Sequence, residues 1–244
     1  MLEEHSVITI VLVADLHSTV YRNDQAILIT MIQNANPDVI VLAGDIYDSA
    51  VPPTGVRLLL SGISGIAPVY FVTGNHEYAS GNIRAIREEL LSFGVIILSD
   101  NYVSIVVQNN EIILAGIEDP EKQLDETPDY HQINSMEAAF RKLDETSLFK
   151  ILIAHRPEMI EVYKNYSFDL VLSGHTHGGQ VRFLCINGLY APHQGLFPKY
   201  AGGIYHHENL THIVSRGLSR THPRLPRIFN PPELVVIQID RRSE

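Results

Sequence analysis

Three short apolar segments in the first third of the chain constrain its fold more than any other feature. They cover residues 7–14, 38–43 and 68–73 and consist largely of aliphatic and β-branched side chains. Continuous apolar runs of this length predict strands buried on both faces, as in parallel sheets covered by helices. Residues 22–34 and the segment from the double proline to Ile63 have the apolar spacing of helices. This alternation predicts a layered α/β fold.

Similar patterns continue through the rest of the chain. Helices are predicted at residues 82–93, 134–143 and 158–165. Further strands are predicted at residues 95–98, 150–154, 168–172, 211–215 and 234–239. Residues 102–107 and 112–117 flank a polar tetrapeptide and predict a hairpin, and the acidic segment 119–129 predicts a loop. Because no repeat or linker interrupts the pattern, we expect a single domain over residues 1–244.

The composition indicates a folded protein in a reducing compartment. With 45% hydrophobic and 19% charged residues, the 244-residue chain can build a substantial core. The net charge of -10 argues against strong nucleic-acid binding, which depends on Lys and Arg contacts with phosphate. Cys185 is the single cysteine, so an intrachain disulfide is excluded. The segment 7–14 is too short to span a bilayer and lacks a preceding basic region, so we expect a cytoplasmic protein without a transmembrane segment.

Side chains that bind metals follow five of the predicted strands. They are Asp15 and His17, then Asp45, then Asn75, then His155, and finally His175 and His177. Side chains two residues apart in an extended segment point to the same side, so each of the two close pairs can reach one place. The histidine pair alone would favour an interpretation as solvated loop residues. Because ligands bind α/β sheets at the carboxyl ends of the strands, the five clusters together predict a metal site.

The chemistry and number of these ligands indicate which metals would bind. Carboxylate, imidazole and amide oxygen ligands suit Mn, Fe or Zn better than metals that select thiolates. The seven candidates exceed the needs of one tetrahedral ion. The set therefore predicts two ions that share a bridging carboxylate.

The order of the motifs resembles a known family. Asp-x-His at Asp15, Gly-Asp-x-x-Asp around Asp45, Gly-Asn-His-Glu around Asn75, a strand-end His155 and Gly-His-x-His around His175 follow one another as in the calcineurin-like metallophosphoesterase superfamily. The segments 174–181, 197–200, 214–218 and 227–233 resemble the narrower group of bacterial YkuE/YaeI-like phosphodiesterases. The chain departs from that group in two respects. We expect no N-terminal membrane or export segment, which many members of the group carry, and Ser219 followed by a basic loop replaces a glycine of the group.

This resemblance implies a fold and a set of residue roles. The implied fold is a four-layer α/β/β/α metallophosphoesterase sandwich with two mixed sheets flanked by helices. Asp15, His17 and His177 would hold the first of two divalent or trivalent ions, and Asn75, His155 and His175 would hold the second. Asp45 would bridge both ions. His76 would face the phosphate as a catalytic residue that donates a proton to the leaving group or stabilises charge.

The implied reaction is hydrolysis of a small anionic phosphate ester by a metal-bridging hydroxide, which two adjacent cations can supply near neutral pH. The narrower resemblance favours a phosphodiester. The first alternative is a phosphomonoesterase that acts on a nucleotide or a phosphoprotein. The second is a non-catalytic metal-binding scaffold, which the complete ligand set and the presence of His76 disfavour.

Four residues near the motifs have two interpretations each. Asp48 could orient a ligating histidine or serve the fold alone, and Glu77 could support the site or begin a solvated helix. Arg156 could contact substrate or form a surface salt bridge. Arg216, together with the basic loop 220–227, could steer an anionic substrate or balance nearby acids.

Overall fold

The protein consists of two β-sheets packed face to face between two layers of helices. The computed structural model describes residues 7–122, 134, 136–183, 186–220 and 226–240. Both sheets are mixed, with parallel central strands and antiparallel edge strands. This architecture confirms the expected four-layer α/β/β/α sandwich.

The first sheet is formed by the N-terminal strands and the last strand of the chain. Its strands are β1 (Val7–Val13), β2 (Val39–Ala43), β3 (Val69–Val72), β4 (Ile96–Ile97) and β13 (Val235–Asp240). They lie in the order β13-β1-β2-β3-β4. Strands β1 to β4 are parallel, and β13 pairs with β1 in the antiparallel direction. The connections between the parallel strands are α1 (Ala26–Ala35), α2 (Thr54–Ile63), α3 (Asn75–Ala79) and α4 (Ile83–Ser92).

The second sheet has six strands, and its parallel centre includes the strand that precedes the histidine pair. Its members are β5 (Asn101–Val107), β6 (Asn110–Gly116), β7 (Phe149–Ile153), β8 (Leu170–Ser173), β11 (Gly203–His207) and β12 (Leu210–Val214). They lie in the order β11-β12-β8-β7-β6-β5. Strands β9 (Tyr190–Ala191) and β10 (Gly195–Leu196) form a separate small hairpin.

Alternating side chains of the central strands pack into different layers. Ile10 and Leu12 of β1 lie in the core between the two sheets, whereas Val11 and Val13 pack against α1, α2 and α4. In β7, Ile151 faces the other sheet, and Leu152 packs against the outer helical residues near Phe140 and Ile160. This period of two explains why the strands read as continuous apolar runs, since both faces are buried.

Most predicted elements are confirmed within one to four residues at their ends, but the structure adds elements that were not predicted. The short helix α3 begins at Asn75, inside a predicted ligand loop, and β11 lies in a segment that had no predicted strand. Of the predicted loop 119–129, residues 123–129 lie outside the described residues. None of the helices in the described part of the chain is long and apolar enough to cross a membrane.

A substitution in the layer between the sheets tests this packing. Leu114 on β6 is fully buried in that layer, whereas Val106 on β5 is 73% exposed. We expect Leu114→Ala to lower the free energy of unfolding by about 2–5 kcal/mol, because it leaves a cavity that the two sheets cannot close. Val106→Ala is the matched control and should cost less than about 1 kcal/mol. Urea unfolding measures both, and equal losses would contradict the assignment of layers.

Candidate metal centre

The loops after β1, β2 and β8 bring the predicted ligands together through an unusual backbone. Asp15, His17, Asp45, His175 and His177 all have positive φ, between 47° and 72°. Residues other than glycine rarely adopt this left-handed conformation, and such strain clusters at functional sites. Hydrogen bonds between the loops hold it, with the Asp15 N–H donating to Gly44 O at 3.1 Å and the His17 N–H to Asp45 O at 2.9 Å.

Two glycines allow the carboxylates to approach the neighbouring backbone. A Cβ at position 74 would lie 2.3 Å from Asp45 Oδ1, and one at position 174 would lie 2.6 Å from Asp15 Oδ2. Both distances are far below van der Waals contact. The Asp15 carboxylate accepts the His175 N–H at 2.9 and 3.0 Å, and Asp45 Oδ1 accepts the His76 N–H at 2.8 Å. The glycines in the motifs are therefore required by packing around the two carboxylates.

The first group of potential ligands comprises Asp15, His17, Asp45 and His177, whose ligand atoms lie within 4.8 Å of one another. His17 Nε2 is 3.2 Å from His177 Nε2 and 3.6 Å from Asp45 Oδ2. His177 Nε2 is 3.7 Å from Asp15 Oδ1. These separations between ligand atoms are those expected around one ion with bonds of about 2 Å.

The second group comprises Asp45, His155 and His175. His155 Nε2 lies 3.2 Å from Asp45 Oδ2 and 3.2 Å from His175 Nδ1. Asn75 lies next to His76, whose backbone N–H donates to Asp45 Oδ1. Among the described residues, the buried Oδ1 of Asn75 has no hydrogen-bond partner. A buried amide oxygen without a donor is costly, so it fits a position beside a cation. Asp45 Oδ2 belongs to both groups.

Hydrogen bonds on the outer ring nitrogens hold two of the imidazoles with Nε2 facing the site. His155 Nδ1 must donate to Ala43 O at 2.8 Å, and His17 Nδ1 donates to Asp48 Oδ2 at 3.1 Å. When these rings are neutral and bind a metal, this would leave a lone pair on each Nε2 that faces the site. His177 Nδ1 contacts Ser219 Oγ at 2.9 Å. His17 Nε2 and His177 Nε2 lie 3.2 Å apart, close enough for both to bind one cation.

The electrostatics divide the four histidines of the cluster into two pairs. Although burial opposes it, Asp48 raises the pKa of His17, and Asp45 raises the pKa of His155 to about 10, so these two rings would give up a proton on binding a metal. Burial lowers the pKa of His175 and His177 well below the usual value, so both rings are neutral, as metal ligands must be. Burial raises the pKa of Asp15 to about 6, and the nearby Asp45 carboxylate acts in the same direction. Burial opposes ionisation of Asp45 as well, but the adjacent His155 holds its pKa well below the usual range. A bound cation would stabilise both carboxylates in their ionised forms.

His76 lies at the rim of the site. Its ring contacts the ring of His17 edge-on, with centroids 4.4 Å apart, and its Nδ1 is 3.4 Å from Asp48 Oδ2. The side chain is 34% exposed, whereas those of His155 and His175 are almost fully buried. Burial lowers the pKa of His76 below its usual value. Asp48 contacts both rings, and its hydrogen bond to His17 holds its own pKa at about 2, so it is an anion at neutral pH.

The fully buried Glu77 supports the loop that carries Asp45. Its carboxylate accepts four backbone N–H groups: those of Asp45 (2.9 Å), Ile46 (2.8 Å), Tyr47 (3.0 Å) and Gly74 (2.7 Å). The interpretation of Glu77 as a residue that supports the site is confirmed. Its interpretation as the solvated start of a helix is wrong.

Arg156 fits neither of its interpretations. It is 2% exposed, and its Nε and Nη2 donate to the two carboxylate oxygens of buried Asp119 at 2.7 and 2.8 Å. The expectations of a substrate contact and of a surface salt bridge are both corrected, because the guanidinium lies inside the protein. Arg216 forms a salt bridge with Glu233, which agrees with the balancing of a local acid.

Several residues around the site were not recognised from the sequence. Arg227 and Asn230 donate to His177 O at 3.3 and 2.7 Å. His193 Nδ1 lies 3.0 Å from His175 Nε2, and Glu158 Oε1 lies 3.9 Å from the same atom. Ser219, the basic loop 220–227 and the segment 227–233 mark this region in the sequence, but none of these patterns indicates a contact with His177.

Comparisons with known proteins agree with this geometry. A model of the calcineurin-like phosphoesterase family matches residues 8–179. The chain is 30% identical over 240 residues to YkuE, a metallophosphoesterase of Bacillus subtilis, covering 94% of this chain and 78% of YkuE. It is 29% identical over 160 residues to the phosphodiesterase YaeI of Escherichia coli, covering 64% of this chain and 54% of YaeI.

Solved structures show the same fold at low sequence identity. The structure of the NAD nucleotidase NadN of Haemophilus influenzae superimposes with a TM-score of 0.60 and 14% identity, over 88% of this chain and 46% of NadN. The family model spans most of the chain and includes all seven predicted ligands and His76. The chain therefore belongs to the calcineurin-like phosphoesterase family, in the group that resembles YkuE and YaeI.

Proposed function

We propose that this protein is a di-metal phosphoesterase that hydrolyses a phosphodiester. The observation that carries the proposal is the position of one atom, Asp45 Oδ2, which lies 3.6 Å from His17 Nε2 and 3.2 Å from His155 Nε2. A carboxylate oxygen shared by two ligand groups is the arrangement that two neighbouring cations require. The preference for a diester rests on the resemblance to YaeI.

The two groups of potential ligands support one assignment of ligands to each ion. Asp15, His17 and His177 would hold the first ion, and Asn75, His155 and His175 would hold the second, with Asp45 common to both. Imidazole, carboxylate and amide oxygen together favour Mn, Fe or Zn. When bound, two such ions supply charge neutralisation to the phosphoryl group and hydroxide near neutral pH. Because Nδ1 of His17 donates to Asp48 and Nδ1 of His155 donates to Ala43 O, Nε2 of each ring would bind the ion once the ring is neutral.

His76 would act on the leaving group. Its partly exposed ring lies beside His17 at the rim, where it can reach a bound ester. Asp48, 3.4 Å from His76 Nδ1, would hold the ring and stabilise its protonated form, so that the opposite nitrogen can donate a proton to the departing oxygen.

The net charge of -10 disfavours strong nucleic-acid binding. A single domain over residues 1–244 and a cytoplasmic location stay predictions.

Activity on paired model substrates tests the proposed function. We expect the metal-stripped protein to be inactive and added Mn²⁺ to restore hydrolysis, with bis-p-nitrophenyl phosphate turned over faster than p-nitrophenyl phosphate. Release of p-nitrophenolate measures both rates. A preference for p-nitrophenyl phosphate would support the phosphomonoesterase instead. Stoichiometric metal binding without turnover of either ester would support the scaffold.

Substitution of His76 separates catalysis from metal binding. We expect His76→Ala to retain the wild-type metal content and to lose roughly a hundredfold or more in kcat, the usual scale of general acid catalysis. His206→Ala is the matched control, because His206 is an exposed histidine on β11. Metal analysis and steady-state kinetics on both variants provide the readout. Loss of metal from His76→Ala would show that the residue is a ligand and that its assigned role is wrong.

A further inference from the structure

A groove beside the metal centre has no role in the chemistry proposed above. It lies between α1 and the segment 227–234, and its volume is about 610 Å³. Its walls are mainly apolar, and they include Leu28 and Met31 of α1 together with Leu218 and Phe229. Met31 is 49% exposed and Phe229 is 77% exposed. We call it the α1 groove; its volume is in the range of pockets that hold small organic ligands.

The α1 groove adjoins the candidate metal centre. Leu218, in its wall, directly precedes Ser219, whose Oγ contacts His177 Nδ1 at 2.9 Å. Arg227 and Asn230, which also line the groove, donate to the backbone carbonyl of His177. Residues of the groove wall therefore contact His177, one of the predicted ligands.

Two arginines give this end of the groove a positive charge. Arg220 lies over the ring of Tyr21, with its guanidinium carbon 4.2 Å from the centroid, and Tyr21 OH donates to Leu218 O. Arg227 donates to the carbonyl oxygens of His177, Arg216 and Gly217. Among the described residues, neither guanidinium has a carboxylate within 4 Å, so their charge is not neutralised by an ion pair. Apolar walls behind a cationic edge complement an anionic group that carries a hydrocarbon substituent.

We propose that the α1 groove binds an apolar chain on one ester oxygen of the substrate, so that the substrate is an amphiphilic phosphodiester. This inference rests on the proposed phosphodiesterase function and adds the chemical class of the substrate. Leu28, Met31 and Phe229 contact the chain, while Arg220 and Arg227 lie near the phosphate at its head. Each methylene that enters the groove leaves water, and binding improves by up to about fourfold per methylene.

A series of p-nitrophenyl alkyl phosphates, from methyl to octyl, tests the proposal on the Mn²⁺-loaded protein. We expect kcat/KM to rise with chain length, with the octyl ester at least tenfold better than the methyl ester. In Met31→Glu, which places a charge in the groove, this ratio should fall towards one. Leu91→Glu, at a 59% exposed position on α4, is the matched control and should keep the wild-type ratio. Equal kcat/KM for all esters in the wild type would overturn the proposal.

A binding measurement separates failure of the groove from failure of the proposed function. Octylphosphonate has no ester bond, so calorimetric titration with it reports binding without turnover. We expect it to bind at least tenfold more tightly than methylphosphonate in the wild type and in Leu91→Glu, but not in Met31→Glu. This result would support the groove even if no ester is hydrolysed. Hydrolysis of the methyl ester with equal binding of both phosphonates would support the function and overturn the groove.

Discussion

The candidate site depends on the burial of one carboxylate, that of Asp45, between two sets of histidines. Its Oδ2 faces His17 and His155, while its Oδ1 accepts the backbone N–H of His76. Glu77 fixes the loop behind it by accepting four backbone N–H groups. These contacts hold Asp45 Oδ2 facing the two imidazoles, and a cluster of this charge and geometry fits a cation site.

The two-sheet architecture is what allows this convergence. Parallel strands place their carboxyl ends on one edge of a sheet, and the two sheets pack so that both such edges meet. Asp15 and Asp45 come from the first sheet, and His155 and His175 come from the second. Contacts between the sheets at this edge include the bond from His175 N–H to Asp15, so the site and the packing of the sheets depend on each other.

The sequence predicted the strands and the ligands well because both depend on local pattern. Buried strands read as apolar runs, and each ligand follows a run directly. The supporting residues could not be predicted, since their partners are distant in sequence. Arg156 pairs with Asp119, and Asn230 donates to the carbonyl of His177, and no local pattern indicates either partner. The sequence did not predict helix α3, because its first residue, Asn75, belongs to a motif that indicates a loop. Glu77 resembles a solvated acid in the sequence, since its four backbone N–H partners are evident only in the structure.

The central claim is that Asp45 is shared by two ions, and electron paramagnetic resonance of the Mn²⁺-loaded protein tests it most directly. Two ions bridged by one carboxylate, about 3.5–4 Å apart, are spin-coupled. We expect two Mn²⁺ per chain with a coupled spectrum, which Asp45→Asn should abolish while the control Asp24→Asn, at an exposed carboxylate before α1, keeps it. A single ion per chain, or two uncoupled ions in the wild type, would contradict the account.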